Sequence, residues 1–238
     1  MTSSDLEKNH EDVFHRIEGY LKDAKIFKHD GDVYIVLAIY YDKTRATHRV
    51  NSLLYRVHNT TNATLIQEIP TDGAWSIQIF KIDHHEVFLL IGCFGESSES
   101  SLYRFDPATR KFEQLRTFAS RSRYVKSLSQ GKDHFVLLDN PDTNAVNIYK
   151  YDPESRNFHS YQSIFYIHQI NGIECFYTDD FGNSDVFVIV TTESGRFYIY
   201  EYMFAGVNLL SLRFFLYYLS PRFLLIKRIN SLSRISPL

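Results

Sequence analysis

The residues best suited to hold a metal ion form two acidic loops. Asp179, Asp180, Asn183 and Asp185 fall within seven positions, and a shorter Asp-Gly-Asp lies at 30–32. Carboxylate and amide oxygens are the ligands that Ca²⁺ takes from proteins, so both loops are candidate calcium sites. Neither follows the twelve-residue calcium-binding loop, and glycine beside Asp or Asn is also ordinary hairpin chemistry. We therefore expect no cofactor, with calcium in the longer loop as the candidate to test.

Histidine, cysteine and asparagine side chains offer three further kinds of chemistry. The ten histidines include an adjacent pair at 84–85, but no His-x-His or Cys-x-x-Cys pair supplies the usual metal-ligand spacing. Cys93 and Cys175 can form at most one bridge, and two buried free thiols are the expected state. Asn59 and Asn62 begin two successive glycosylation sequons between predicted strands, so both are candidate glycan sites if the protein is secreted.

Catalytic and nucleic-acid-binding signatures are missing from the sequence. It contains no sialidase Asp-box, no WD-repeat pairs, no Gly-x-Ser-x-Gly, no Gly-x-Gly-x-x-Gly and no P-loop. Lys and Arg total 26 against 28 Asp and Glu, a formal net charge of −2, so there is no basic excess to bind nucleic acid. We expect no enzymatic activity and no nucleic-acid partner.

The two ends of the chain differ in composition from the middle. Residues 1–11 are polar and show no apolar run behind a basic start, so no signal peptide is recognised in them. Residues 205–238 form a basic, hydrophobic tail with no acidic residue. Arg213 and Pro221 disfavour a spanning helix there, and attachment to a membrane through the tail is an alternative. Val-Asn after Gly206 also fits in-frame read-through of an intron.

Residues 12–204 repeat with a period of about 45–50 residues. Each unit holds four short runs of β-branched and aromatic residues, separated by Asp-Gly, Asp-Pro, Asn-Pro or Gly-Asn turns. The run at 87–91 is apolar at every position, which predicts a strand buried on both faces. Six aromatic residues mark the repeat: Tyr55, Tyr103, Tyr149, Tyr200, Phe112 and Phe158.

Four strands at this period predict an all-β chain, an antiparallel β-propeller that is partial. Three complete four-stranded blades are predicted at 24–69, 75–118 and 124–164. Three strands at 170–203 belong to a blade whose outer strand is missing, and a lone outer strand lies at 12–20. The prediction is a fragment of a larger ring with incomplete blades at each end; a four-bladed ring, in which the lone strand completes the last blade, is the alternative.

The repeated pattern resembles the epilepsy-associated repeat, also called EAR or EPTP. The pattern is Ser-x-(Ile/Leu)-Tyr, an aromatic residue two places on, a turn, then Phe-x-x-x-Gln-x-Ile and a Gly-Ala before the next Phe. The best matches are Ser101 to Phe112, Tyr149 to Ile164, and Gln67 to Ala74. Arg116 departs from the pattern because it replaces the glutamine. The repeat builds the seven-bladed propellers of leucine-rich glioma-inactivated proteins. It also occurs beside a thrombospondin-type laminin G domain, in proteins that this chain resembles somewhat more.

The resemblance implies a secreted or cell-surface, non-catalytic module that binds a protein partner. Blades would hold their connecting loops at two rims, and the loops at 40–50, 94–100 and 179–185 are the predicted recognition surface. Open blade faces would expose apolar surface and favour self-association. A propeller hydrolase with carboxylates in its central channel is the enzymatic alternative, although the sequence places mainly apolar residues on the inner strands.

Overall fold

A computed structural model defines the architecture. It describes residues 19–59, 62–83, 85–96, 98–180, 183–202, 204–205, 209–210, 213–217, 219–220, 223–224 and 227–228. Within this part of the chain there is no helix, and every paired strand is antiparallel. A helix able to cross a membrane is likewise absent from the described residues. The prediction of an all-β chain built from repeated antiparallel sheets is confirmed.

Four main sheets follow one another along the chain, with strands paired in chain order. Sheet I contains β1 (Gly19–His29), β2 (Asp32–Asp42), β3 (Ser52–Asn59) and β4 (Asn62–Ile69). Sheet II contains β5 (Ala74–Ile82), β6 (Glu86–Cys93), β7 (Ser100–Asp106) and β8 (Lys111–Phe118). Sheet III contains β9 (Val125–Gln130), β10 (Asp133–Asn140), β11 (Ala145–Asp152) and β12 (Asn157–Phe165).

Sheet IV includes part of the segment that the sequence sets apart as a tail. It begins with β13 (Ile170–Asp180), β14 (Asn183–Thr192) and β15 (Phe197–Tyr202). It continues with two strands from beyond residue 205, β18 (Arg213–Tyr217) and β21 (Lys227–Arg228). Two short pairs stand apart: β16 (Phe204–Ala205) with β17 (Leu209–Leu210), and β19 (Leu219–Ser220) with β20 (Phe223–Leu224).

Two predictions about the edges of the repeat need correction. Sheet IV has a fourth strand, because β18 pairs with β15 from Phe197 opposite Tyr217 to Glu201 opposite Arg213. The stretch at 213–217 lacks the Phe-x-x-x-Gln of the repeat, but its aromatic residues favour a strand. Of the lone strand predicted at 12–20, residues 12–18 lie outside the described part, and Gly19 and Tyr20 belong to β1.

The second strands of the two middle sheets, β6 and β10, are buried on both faces, as predicted for 87–91. Within β6, Val87, Leu89 and Ile91 pack in one cluster with sheet I. Phe88 and Leu90 alternate with them and pack in another cluster with sheet III. Because side chains of a strand alternate between faces, a continuous apolar run lets one sheet serve two neighbours.

The marker tyrosines occupy equivalent places in the third strands. In sheets I to III, the ladder shifts by one residue at the tyrosine, which leaves Ile66, Leu115 or Tyr161 of the fourth strand unpaired. Tyr103 and Tyr200 are buried against the preceding sheet, in clusters with residues of sheets I and III respectively. The period read from the sequence therefore corresponds to a repeated bulge and a repeated contact.

A polar clasp joins the outer strands of neighbouring sheets. The Gln67 amide in β4 binds the backbone of Phe112 in β8 twice: its Nε2 donates to the Phe112 carbonyl (2.9 Å) and its Oε1 accepts from the Phe112 N–H (2.7 Å). Arg116 in β8 occupies the same register position and donates from Nη1 to the Phe158 carbonyl in β12. Arg116 thus keeps the donating half of this clasp, whereas the Phe158 N–H donates to Oδ1 of Asn157 instead.

Beneath each clasp, four aromatic rings pack between two sheets. Phe27 and Tyr34 of sheet I are stacked at 4.9 Å, and Phe105 and Phe112 of sheet II pack on them within 5.6 Å. The next interface repeats this arrangement with the rings of Phe80, Phe88, Tyr151 and Phe158. Offset and edge-to-face rings add to the apolar area that each interface buries.

The Asp-Pro turns between third and fourth strands are built alike. The carboxylates of Asp106 and Asp152 accept hydrogen bonds from the hydroxyl and backbone N–H groups that follow, and these bonds lower the pKa of both groups. The arginine that ends each turn then pairs with a carboxylate of the preceding sheet. The two pairs are Arg110–Asp32 and Arg156–Glu86.

The first strands of the four sheets lie side by side in the order β1, β5, β9, β13. The Ile77 N–H donates to the Asp23 carboxylate (2.9 Å), which links β1 to β5. Lys126 pairs with Glu174 at 2.8 Å, which links β9 to β13. This row of strands sets the positions of the residues at its two ends.

Candidate interaction rim

The predicted recognition loops lie at two different ends of the strands. We call the end at which second strands continue into third strands the upper rim; it carries the loops at 40–50 and 94–100. The loop at 179–185 is the β13–β14 hairpin and lies at the lower rim, because β13 runs from the Asn171–Tyr124 contact past the Tyr177–Ser129 contact toward it. The upper rim therefore holds two of the three predicted loops.

Four register-equivalent residues stand at the upper ends of the first strands. They are Lys22, Trp75, Arg123 and Asn171. Each lies five residues before the equivalent position of its own strand, which is Phe27, Phe80, Leu128 and Phe176 in sheets I to IV. Lys22, Trp75 and Asn171 are each skipped by the ladder of their own sheet. A bulge turns its extra side chain away from the regular pleat, so these positions re-aim side chains at the rim.

The aromatic centre of the rim joins its two loops. Trp75 is the single tryptophan of the chain. Its ring meets Tyr40 from the loop at 40–50 at 4.9 Å, nearly perpendicular, and Phe94 from the loop at 94–100 at 5.8 Å. Tyr40 is itself skipped by the β1–β2 ladder. The Lys22 ammonium lies 4.1 Å from the centre of the Trp75 ring and 5.3 Å from that of Tyr40, a cation–π arrangement.

The loop at 40–50 is held rigid by its own hydrogen bonds. The Asp42 carboxylate accepts from the backbone N–H groups of Thr44 (2.8 Å) and Arg45 (3.1 Å), and the Asp42 and Thr47 backbones bond to each other. Nδ1 of His48 lies 3.1 Å from the Tyr40 carbonyl. A turn closed in this way holds Tyr40 and its neighbours in one arrangement.

The Gly-Ala of the repeat lies just below this loop. Gly73 has a positive φ of 67°, and a Cβ built on it would lie 2.7 Å from the Gly95 nitrogen. The Gly73 N–H donates to the His48 carbonyl, while the Phe94 N–H donates to the Gly73 carbonyl. A side chain at this position would push the loops at 40–50 and 94–100 apart.

A buried carboxylate lies beneath the sheet III part of the rim. Asp139 is fully buried, and its Oδ1 accepts from the backbone N–H groups of Arg123 and Tyr124, both at 2.7 Å. Its Oδ2 lies 3.9 Å from Arg123 Nε, and neither atom has a hydrogen-bond partner among the described residues. Burial raises the pKa of Asp139 to about 6, against the lowering effect of these backbone bonds.

Sequence reasoning did not identify Asp139 or the convergence of Lys22 with Trp75. An aspartate directly after the apolar run at 135–138 was a visible sign of a buried carboxylate, because the equivalent positions in sheets I and II hold the small residues Ala38 and Gly92. The bulges gave no signal, since a single sequence does not show which residue a ladder will skip.

The rim has a basic part and an acidic part. Lys43 lies 4.5 Å from the centre of the Tyr20 ring, and like Lys22 it has no carboxylate within ion-pair distance among the described residues. On the sheet II side, Arg121 donates two hydrogen bonds to Asp142 Oδ1. This pair lines a groove of about 450 Å³ together with Glu96, Ser98, Glu99, Ala119 and Ser120.

The remaining predicted site residues lie away from the upper rim. The backbones of Asp179 and Asp180 pair with Ser184 and Asn183, but the side chains of the calcium candidates, Asp185 included, lie outside the described part. His84 lies outside it too, and the described residues contain no cluster of three metal-binding side chains. Calcium binding stays a prediction.

The two sequon asparagines are exposed, and the two cysteines are unpaired. Asn59 and Asn62 face each other at the end of the β3–β4 hairpin on the lower rim, and both are exposed. Both cysteines are free thiols, as expected; Cys93 is buried, whereas Cys175 is only half-buried. Burial raises the pKa of each thiol to about 12, so both are protonated at neutral pH.

Compared with protein-family models and with curated protein sequences, the chain matches none.

Proposed function

We propose that the chain is a segment of an EAR-type β-propeller that acts as a non-catalytic, extracellular protein-interaction module, with the upper rim as its binding surface. The observation that carries this proposal is the convergence of Lys22, Tyr40 and Trp75, each skipped by its ladder, on one spot between the two loops. Side chains aimed out of the pleat by bulges and held by closed turns are suited to recognition.

The repeated contacts between sheets support the propeller. Sheets I and II meet through a clasp, four aromatic rings and an arginine–carboxylate pair, and sheets II and III meet through the same three features. The first two steps from sheet to sheet thus repeat one relation beside a shared row of first strands, which is the principle of blades around a hub.

The outer faces of the first and last sheets support a longer ring or self-association. Ile26 of β1 points away from sheet II and is 66% exposed. In sheet IV, Phe176 and Phe187 are stacked at 5.0 Å on the face away from sheet III, and Phe176 is 36% exposed. Solvent-exposed apolar side chains of this size are typical of a surface that another sheet covers.

Binding to intact cells tests the function directly. The full chain, labelled with a fluorophore, is titrated onto cultured cells, and we expect saturable binding. The double variant Tyr40→Ser, Trp75→Ser removes the aromatic centre and should lose that binding. Tyr161→Ser, on the outer strand of sheet III and 39% exposed, is the matched control and should bind like the parent. Absence of saturable binding, or equal binding by the rim variant, refutes the proposal.

A further inference from the structure

We infer that the basic part of the upper rim, formed by Lys22, Lys43, Tyr20, Tyr40 and Trp75, binds a short acidic segment of a protein, through its carboxylates. This inference rests on the proposed function, which makes the upper rim the binding surface, and adds the chemistry of the partner. It concerns a peptide segment with two or three carboxylates rather than a long polyanion.

The two lysines are held by rings and not by acids. Lys22 lies over Trp75 and Tyr40, and Lys43 lies over Tyr20. An ammonium group has three N–H donors, and a ring face below it leaves the others available. No carboxylate among the described residues lies within ion-pair distance of either lysine, whereas neighbouring Arg45 and Arg121 pair with Asp42 and Asp142. Lys22 and Lys43, together with the exposed Arg49 of the loop at 40–50, are therefore cations of this rim that no described carboxylate neutralises.

A continuous line of rings connects the two cations. Tyr20 contacts Tyr41 at 6.0 Å, Tyr41 contacts His48 at 5.0 Å, and His48 contacts Tyr40 at 4.5 Å. Tyr40 then contacts Trp75 below Lys22. Rings between two charges provide apolar surface for the methylene groups of Asp or Glu side chains and for the peptide backbone. A line of rings with a cation at each end fits a peptide better than a charged polymer without apolar groups.

The charges around this patch limit the length of the acidic segment. Glu96 and Glu99 are exposed in the adjoining sheet II part of the rim, where further anionic groups would be repelled. The net charge of the whole chain is −2, so there is no long-range attraction for a polyanion. The charges favour a peptide whose carboxylates lie beside Lys22 and Lys43 and whose neutral or basic residues lie beside the loop at 94–100.

The single tryptophan makes the test direct, because Trp75 lies at the centre of the patch. The full chain is titrated at low salt with an N-acetylated, C-amidated hexaglutamate peptide, and with hexaglutamine as the neutral probe. Trp75 emission is recorded, with the anisotropy of dye-labelled peptide as a second readout. We expect a saturable change with hexaglutamate alone, which weakens as NaCl is raised.

Variants assign the binding to the two lysines. The double variant Lys22→Gln, Lys43→Gln should weaken hexaglutamate binding about tenfold, since it removes two exposed ion pairs, each of which contributes little. Lys132→Gln is the matched control: Lys132 is exposed in the β9–β10 hairpin on the lower rim, and its variant should bind like the parent. Thermal unfolding of all three proteins confirms that they are folded.

Several outcomes overturn the inference. They are the absence of saturable hexaglutamate binding, equal binding of hexaglutamine, and unchanged binding by the double lysine variant. Binding of a heparin octasaccharide without binding of hexaglutamate assigns the patch to sulfated glycans instead. If the double lysine variant still binds cells through Trp75, the acidic partner is excluded while the proposed function stands.

Discussion

The buried carboxylate beneath the rim gives a prediction whose sign and size follow from the structure. Asp139 has a pKa of about 6 in the folded chain, raised from an ordinary 3.8 by burial. A group whose folded pKa is raised binds more protons in the native state than in the unfolded state. Asp139 therefore makes the native state less stable as pH rises from about 4 to about 7, and its contribution is constant above that range.

The size follows from the shift in the pKa of Asp139. One pKa unit corresponds to about 1.4 kcal/mol, so a rise of roughly two units is about 3 kcal/mol, of which about 2 to 3 kcal/mol falls between pH 4 and pH 7.5. In Asp139→Asn the amide oxygen can still accept from the backbone N–H groups of Arg123 and Tyr124, and the titration is gone. The free energy of unfolding of the parent should fall by this amount relative to the variant.

Urea unfolding followed by Trp75 fluorescence at half-unit steps of pH measures the difference. Other carboxylates, such as Asp106 and Asp152 with their lowered pKa values, titrate in both proteins and cancel. A parent-minus-variant difference that is flat with pH, or that rises with pH, would show that Asp139 is ionised in the fold by its pairing with Arg123. In that case the reasoning from burial is wrong.

Three further changes test the clasp, the Gly-Ala turn and the thiols. Gln67→Ala leaves the backbone N–H and carbonyl of Phe112 unpaired and should lower the free energy of unfolding by about 1 to 3 kcal/mol, whereas Gln114→Ala, at an exposed position of β8, should change it by less than about 0.5 kcal/mol. Gly73→Ala should cost well over about 1 kcal/mol, and more than Gly131→Ala, because both have positive φ but only Gly73 has backbone atoms in the way. Equal losses of the free energy of unfolding at the two glycines would show that the close approach to Gly95 does not affect stability. Both thiols should resist Ellman's reagent in the native chain at pH 8 and react on unfolding, since their pKa values are about 12; rapid native labelling contradicts this.

The positions of most strands could be predicted because burial on two faces leaves a clear pattern. The run at 87–91 is apolar throughout since one sheet faces two neighbours, and the marker tyrosines recur because the same bulge and contact recur. The clasp was visible as a glutamine in the repeat, but its partner in the next sheet was not, because 45 residues separate Gln67 from Phe112. The loops at 40–50 and 94–100 were predicted, but the convergence of Lys22 with Trp75 between them was missed, since ladder shifts depend on pairing between strands, which local residue types do not specify.

The last sheet differs from the others in how its outer strand is aligned. In sheets I to III one skipped residue in each fourth strand marks a single alignment with the third strand. The β18 strand pairs with β15 without any skipped residue, and Phe215 stands where Gln67 stands in sheet I. Sliding β18 by two residues would keep each side chain on its face, so nothing in the pairing distinguishes one alignment from the next. A strand with a bulge and a glutamine would fit this edge in one way only, and would compete with β18 for it.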